Sequence, residues 1–123
     1  AEREACDALA AACAGTSLAG RTSLREQAAI CARAAVVVSN DSGMAHLAGA
    51  SGARTVAIFG STSSAWTAPL GPRVAVVQRA TVCSPCFRRT CAIGYACLEA
   101  ISVDDVLRAS AELGVCEPAK VPA

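Results

Sequence analysis

The sequence predicts an α/β fold, a parallel sheet with flanking helices, and three observations carry that prediction. The runs "AVVVSN" at 35–40 and "RTVAIFG" at 54–60 are short and β-branched without alternation, as expected of parallel strands covered on both faces. Between them lies a short helical stretch from Ser42 to about Ala50, closed by Gly52. Strand, helix, strand is a βαβ unit, whose right-handed crossover places both strands in one parallel sheet. A third run, "RVAVVQR" at 73–79, follows the loop "STSSAWTAPLGP" and adds a strand.

The flanking elements follow in order. "EREACDALAAAC" at 2–13 sets Cys6, Leu9 and Cys13 on one helical stripe, with Gly15 suited to its end, so Cys6 and Cys13 are expected to be slow-reacting core thiols. Ser23 with Glu26 three residues on forms a capping box for a helix over 24–34, whose apolar face holds Leu24, Ala28, Cys31 and Ala35. Residues 80–100 form a cysteine-rich loop. A last helix over 101–114 carries a second capping box, Ser102 with Asp105, and a hydrophobic staple between Ile101 and Val106. Cys116, near the end of the chain, is expected to react readily with thiol reagents. The 123 residues are thus read as one partial domain, 1–123, with an α/β core over 1–79, and a start at Ala1 in mid-pattern suggests a segment of a longer protein.

Composition narrows the function classes. An apolar content of 54% against 17% charge supports a packed core rather than disorder. A net charge of +1 and four aromatic residues, Phe59, Trp66, Phe87 and Tyr95, supply neither the basic field nor the stacking platforms of a nucleic-acid groove, so no nucleic-acid partner is expected. No apolar run has the length of a transmembrane segment. Eight cysteines beside so many apolar elements fit a cytoplasmic protein with structural thiols better than a disulfide scaffold.

The stretch "NDSG" at 40–43 stands where ligands bind in open α/β sheets, beyond the carboxyl end of a strand and at the start of a helix. Asp41 is expected to cap that helix with its carboxylate, leaving the amides of Ser42, Gly43 and Met44 and the positive end of the helix dipole to face an anion. Gly43 lets a phosphate oxygen reach the backbone, the Ser42 hydroxyl adds a movable donor, and His46, the only histidine, lies one turn further in.

Those residues also carry a resemblance. "NDSGMAHLAGASGARTVAIFGSTSSAWTAPLG" resembles the nucleotide-sugar loop of the lipopolysaccharide heptosyltransferases, two-domain glycosyltransferases of the GT-B type. Upstream, "LAGRTSLREQAAICARAAVVVS" is similar to that family's preceding loop, helix and strand, and "CSPCFRRTCAIGYACLEAISVDDV" resembles the tail of its heptosyltransferase II branch. The resemblance implies a Rossmann-like carboxy-terminal domain of glycosyltransferase family 9 that appears here without its first strands and phosphate-contacting lysine. It implies transfer of heptose from ADP-heptose to the lipopolysaccharide inner core, with the acceptor site and acidic base on an amino-terminal domain and no cofactor for the transfer. It further implies that Asp41, Ser42, Gly43 and His46 form the diphosphate loop. A carboxylate repels a diphosphate, so Asp41 holds the loop while the amides bind. Glu4 falls where the family places the acid for the ribose hydroxyls, and Thr22 where it lines the adenine. The location implied is cytoplasmic, peripheral at the inner face of the inner membrane.

A second constellation lies in the cysteine-rich loop. Cys83, Cys86, Cys91 and Cys97 are spaced C-x2-C-x4-C-x5-C; the first pair has the spacing of a metal knuckle, and four thiolates suit zinc or an iron–sulfur cluster. The second pair departs from C-x2-C, and free thiols or two disulfides are the alternatives. Many enzymes of the family lack these cysteines, so the resemblance does not choose. Two rival functions follow: a stand-alone metal- or redox-binding module, and a nucleotide-sugar epimerase, whose loop usually continues into acidic residues where Met44 to Leu47 stand here.

Overall fold

In a computed structural model, residues 2–115 are described. The elements run α1 (Glu2–Ala12), α2 (Leu24–Arg33), β1 (Val37–Asn40), α3 (Gly43–Ala50), β2 (Thr55–Phe59), α4 (Ser64–Thr67), β3 (Val74–Gln78), α5 (Ala96–Glu99) and α6 (Val103–Glu112). The three strands form one parallel sheet in the order β1-β2-β3, with Val37 opposite Thr55 and Thr55 opposite Val74. All three carboxyl ends, Asn40, Phe59 and Gln78, therefore lie on one edge of the sheet. The fold is the α/β architecture expected, a parallel sheet with helices on its faces.

The central strand explains the layering. Side chains alternate across a strand, so Ala57 and Phe59 of β2 face one way and join Ala45 of α3, while Val56 faces the other way and joins Val77 and Ala109 of α6. Phe59 and Val56 are both fully buried. On the first face, α2 extends the layer through Cys31, which meets Ala48 and Ala53. β1 is covered less well: α6 contacts β2 and β3, and Val38 is left 49% exposed. The expectation of strands covered on both faces holds for β2 and fails for this edge strand.

Small residues let α3 approach the rest of the core. A Cβ on Gly49 would stand 2.8 Å from the carbonyl oxygen of Leu70, and one on Gly71 would stand 2.6 Å from the carbonyl oxygen of Gly49, so the helix and the 69–71 segment meet backbone to backbone. Gly52, at φ +76°, ends the helix in the left-handed region.

Both capping boxes form. The Ser23 side chain accepts from the Glu26 amide while the Glu26 carboxylate accepts from the Ser23 amide at 2.7 Å, and Ser102 and Asp105 repeat the arrangement. Ile101 and Val106 pack on the same cluster, as the staple required. Asp105 is also paired with Arg79 at the end of β3, which fastens α6 to the sheet. The amide and hydroxyl of Ser102, with Arg79 after them, hold the Asp105 carboxyl below its ordinary range.

Two expectations fail at the amino end. Cys6 and Cys13 are exposed, and α1 buries no residue. The stripe is real, but only a shallow groove faces it; Leu9 is 68% exposed. Leu24 at the start of α2 is 69% exposed, and of that face Cys31 alone reaches the core. The turn after α1 takes its left-handed residue at Ala14 rather than at Gly15. Cys116 lies outside the described residues.

Candidate functional site

The site at the carboxyl end of β1 is built by the strand handing its chain to α3. The Asp41 amide donates to the Ile58 carbonyl at 2.9 Å, continuing the β1–β2 ladder one residue beyond Asn40. Asp41 is thus spent on the sheet edge, and the N-cap is Ser42, with extended backbone and no side-chain capping bond. This corrects the expectation that the Asp41 carboxylate caps the helix. The Ser42 hydroxyl instead pairs with that of Ser39 at 3.2 Å.

The consequence is an uncapped helix start. The first amides of a helix have no intrahelical acceptor, and no side chain of the cap residue takes one here. Gly43 is exposed, and a Cβ built on it would meet nothing within 4 Å. His46 is exposed as well, one turn along α3. Donor amides, a movable hydroxyl and an imidazole thus share one open face, which suits an anion such as a diphosphate.

Next to this helix start is an apolar groove of about 460 Å³, lined by Leu9 of α1, Leu18 and Thr22 of the following loop, Ile30 of α2 and Met44 of α3. Thr22 is half-buried and accepts a hydrogen bond from Gln27 Nε2 at 3.2 Å. Thr22 and Met44, the second residue of α3, therefore line one cleft. Glu4 is not: the α1 wall of the groove is Cys6, Leu9, Ala10 and Cys13, and Glu4 stands exposed on the helix's first turn.

The cysteine-rich loop occupies the same sheet edge at the ends of β2 and β3. The Ser61 carbonyl accepts from the amides of Cys86 and Phe87, both at 2.9 Å, and the Ser84 hydroxyl donates to the Gly60 carbonyl at 3.0 Å. Gln78 ties β3 to the loop after β2, accepting from Ser64 Oγ at 2.6 Å and donating to the Thr62 carbonyl at 2.9 Å. Phe87 stacks on Trp66, ring centroids 5.5 Å apart. Sequence reading missed Ser61 and Gln78 as anchors; their only signal was position, just after one strand and at the end of the next.

Cys83, Cys86, Cys91 and Cys97 all line one cavity of about 410 Å³ in this loop. All seven cysteines among the described residues are free thiols. Among those residues no three His, Cys, Asp or Glu side chains are gathered into a finished metal-binding group, so the four sulfurs surround the cavity rather than converge. The Tyr95 amide donates to Cys91 Sγ at 3.2 Å, and the amides of Ile93 and Tyr95, with a contribution from the Arg88 charge, lower the Cys91 thiol below its ordinary value.

The comparisons with known proteins bear on the whole arrangement. The profile of glycosyltransferase family 9 (heptosyltransferase) matches residues 1–96, which include the groove, the β1–α3 loop and most of the cysteine loop. The chain belongs to this family. It is 37% identical over 62 residues to lipooligosaccharide heptosyltransferase 2 of Haemophilus influenzae, covering 50% of this chain and 18% of that protein. It is 34% identical over 91 residues to lipopolysaccharide heptosyltransferase 1 of Pseudomonas aeruginosa, covering 74% of this chain and 26% of that protein. The chain thus spans about a quarter or less of these curated relatives. No solved structure matches it. Among the described residues, no helix is long and apolar enough to cross a membrane.

Proposed function

We propose that this family 9 chain is the donor-binding part of a glycosyltransferase that moves heptose from ADP-heptose to the inner core of lipopolysaccharide. The observation that carries the reading is the uncapped start of α3, where Ser42, Gly43 and His46 present donors on one open face. In this reading the diphosphate sits on the amides of Gly43 and Met44, with the Ser42 hydroxyl turned toward it. The adenine enters the apolar groove beside Thr22, and Glu4, which stands outside that groove, takes no part in this reading. Asp41, fixed by its ladder bond to Ile58, holds the loop.

The reaction is an inverting displacement at the anomeric carbon. As the sugar–phosphate bond breaks, its electron pair stays on the diphosphate, and the helix amides with His46 stabilise the charge that develops there. The acceptor hydroxyl attacks from the opposite face and loses its proton to a base outside these residues. Positioning of the acceptor supplies much of such a rate, so the 123-residue chain by itself is expected to bind donor without transferring sugar. The transfer requires no cofactor, and its acceptor places the protein at the cytoplasmic face of the inner membrane.

Calorimetric titration with ADP tests the reading, with Gly43→Val as the deciding variant. A side chain there enters open space, so the fold tolerates it while the phosphate loses its approach to the backbone. Equal ADP affinity in Gly43→Val and the unchanged chain refutes the site.

A further inference from the structure

Four thiols from a fifteen-residue stretch lie around one cavity, and the nucleotide reading uses none of them. Each is presented differently by the loop. Cys97 is 7% exposed on α5, a helix pinned where Leu98 fills the space beside Gly60. Cys86 is half-buried and its amide is tied to Ser61, so these two are fixed to the scaffold. Cys91 opens a turn in which Gly94 at φ +81° and Tyr95 at φ 56° are left-handed, curling the chain so that the Tyr95 amide points at the sulfur. Cys83 is exposed. Arg88 lines the same cavity, so a cation stands beside the sulfurs.

We propose that Cys83, Cys86, Cys91 and Cys97 are the ligands of a soft-metal thiolate site, which closes when the metal enters the cavity they surround. The Tyr95 amide aimed at Cys91 Sγ and the Arg88 guanidinium lining the cavity suit sulfurs that carry negative charge when bound to a metal, and a buried thiol core needs neither. A disulfide pairing explains the group less well: it accounts for two sulfurs at a time and leaves unexplained why all four face one cavity. Tetrahedral zinc draws sulfurs to within about 2.3 Å of one centre, so the loop must contract around a single ion. Contraction brings the exposed Cys83 sulfur toward the two anchored cysteines. A [4Fe–4S] cluster takes each thiolate on its own iron and needs less contraction. In either case each thiol loses its proton to solvent as its sulfur–metal bond forms, and the energy of ligation drives the loop closed.

The reduced, chelator-treated chain is titrated with Co²⁺, and in parallel with a mixture of ferrous and ferric iron and sulfide, which needs no added oxidant. One equivalent of Co²⁺ giving a thiolate charge-transfer band, displaced by Zn²⁺, identifies a single-ion site; cluster absorbance in the iron arm identifies a cluster on the same ligands. Bound metal should protect Cys83, Cys86, Cys91 and Cys97 from alkylation while Cys6 and Cys13 still react. Cys83→Ser, at an exposed position the fold tolerates, should weaken binding at least tenfold, and Cys6→Ser should change nothing. The proposal is overturned if neither band appears, if the four thiols alkylate equally with and without metal, or if Cys83→Ser binds as the unchanged chain does. None of these readouts depends on nucleotide binding.

Discussion

Two loops share the carboxyl edge of the sheet and are held in opposite ways. The Asn40–Gly43 loop is short, begins as a continuation of the β1–β2 ladder and ends as the first turn of α3. Its shape is fixed by backbone, and the donors proposed to hold phosphate are mostly backbone too. The cysteine loop between β3 and α6 is long and is secured from outside by the carbonyls of Ser61 and Gly60 and by the Trp66–Phe87 stack. Its chemistry lies in side chains. A loop made by secondary structure is preorganised before any ligand arrives, whereas a loop made by tethers can keep its sulfurs apart until something draws them in.

Gly43 separates the two loops most clearly. Gly43→Val should lower ADP affinity more than about 100-fold, since two charge-assisted amide contacts are blocked together, while leaving the thermal midpoint within experimental error. Replacing both Cys83 and Cys86 by Ser should leave ADP affinity unchanged in the same calorimeter; a parallel loss would show that the two loops act as one. His46→Ala removes a single donor to the phosphate, worth roughly 1.5–3 kcal/mol, or about 10- to 100-fold in affinity.

Support beneath the first loop gives the next effect. Gly49→Ala forces a methyl group toward the Leu70 carbonyl, a backbone atom that cannot swing away, and should cost about 1–3 kcal/mol by denaturant titration. Among the thiols, Cys91 should be alkylated faster than Cys97 at pH 7, because its thiol is held low and half-exposed whereas Cys97 is buried; mass mapping of partial modification decides this. An equal rate would remove the turn at Cys91–Tyr95 as a thiolate-favouring feature.

The smallest effect concerns the frame common to both loops. The Asp105 carboxyl is lowered by folding, so its stabilising contribution is complete above the ordinary carboxyl range and is lost as pH falls through the lowered folded value. Asp105→Asn should therefore reduce the midpoint at pH 7 and narrow the difference from the unchanged chain below about pH 4, followed by circular dichroism.

The βαβ unit, the third strand, both capping boxes and the position of the β1–α3 loop were legible because each depends on neighbours in sequence: β-branched runs, Ser and an acid three residues apart, a glycine at a helix end. Local chemistry of that kind acts wherever the chain goes. What covers a helix face is not local. Cys6, Cys13 and Cys31 occupy equally apolar stripes, and only packing against Ala48 and Ala53 makes Cys31 a core residue while the other two border an open groove. The same holds at Asp41, whose sequence suits a cap but whose amide bonds to Ile58, 17 residues later on the neighbouring strand. The spacing of the four cysteines named their group; the tethers to Ser61 and Gly60, contacts between segments distant in sequence, hold them around one cavity instead of at a point.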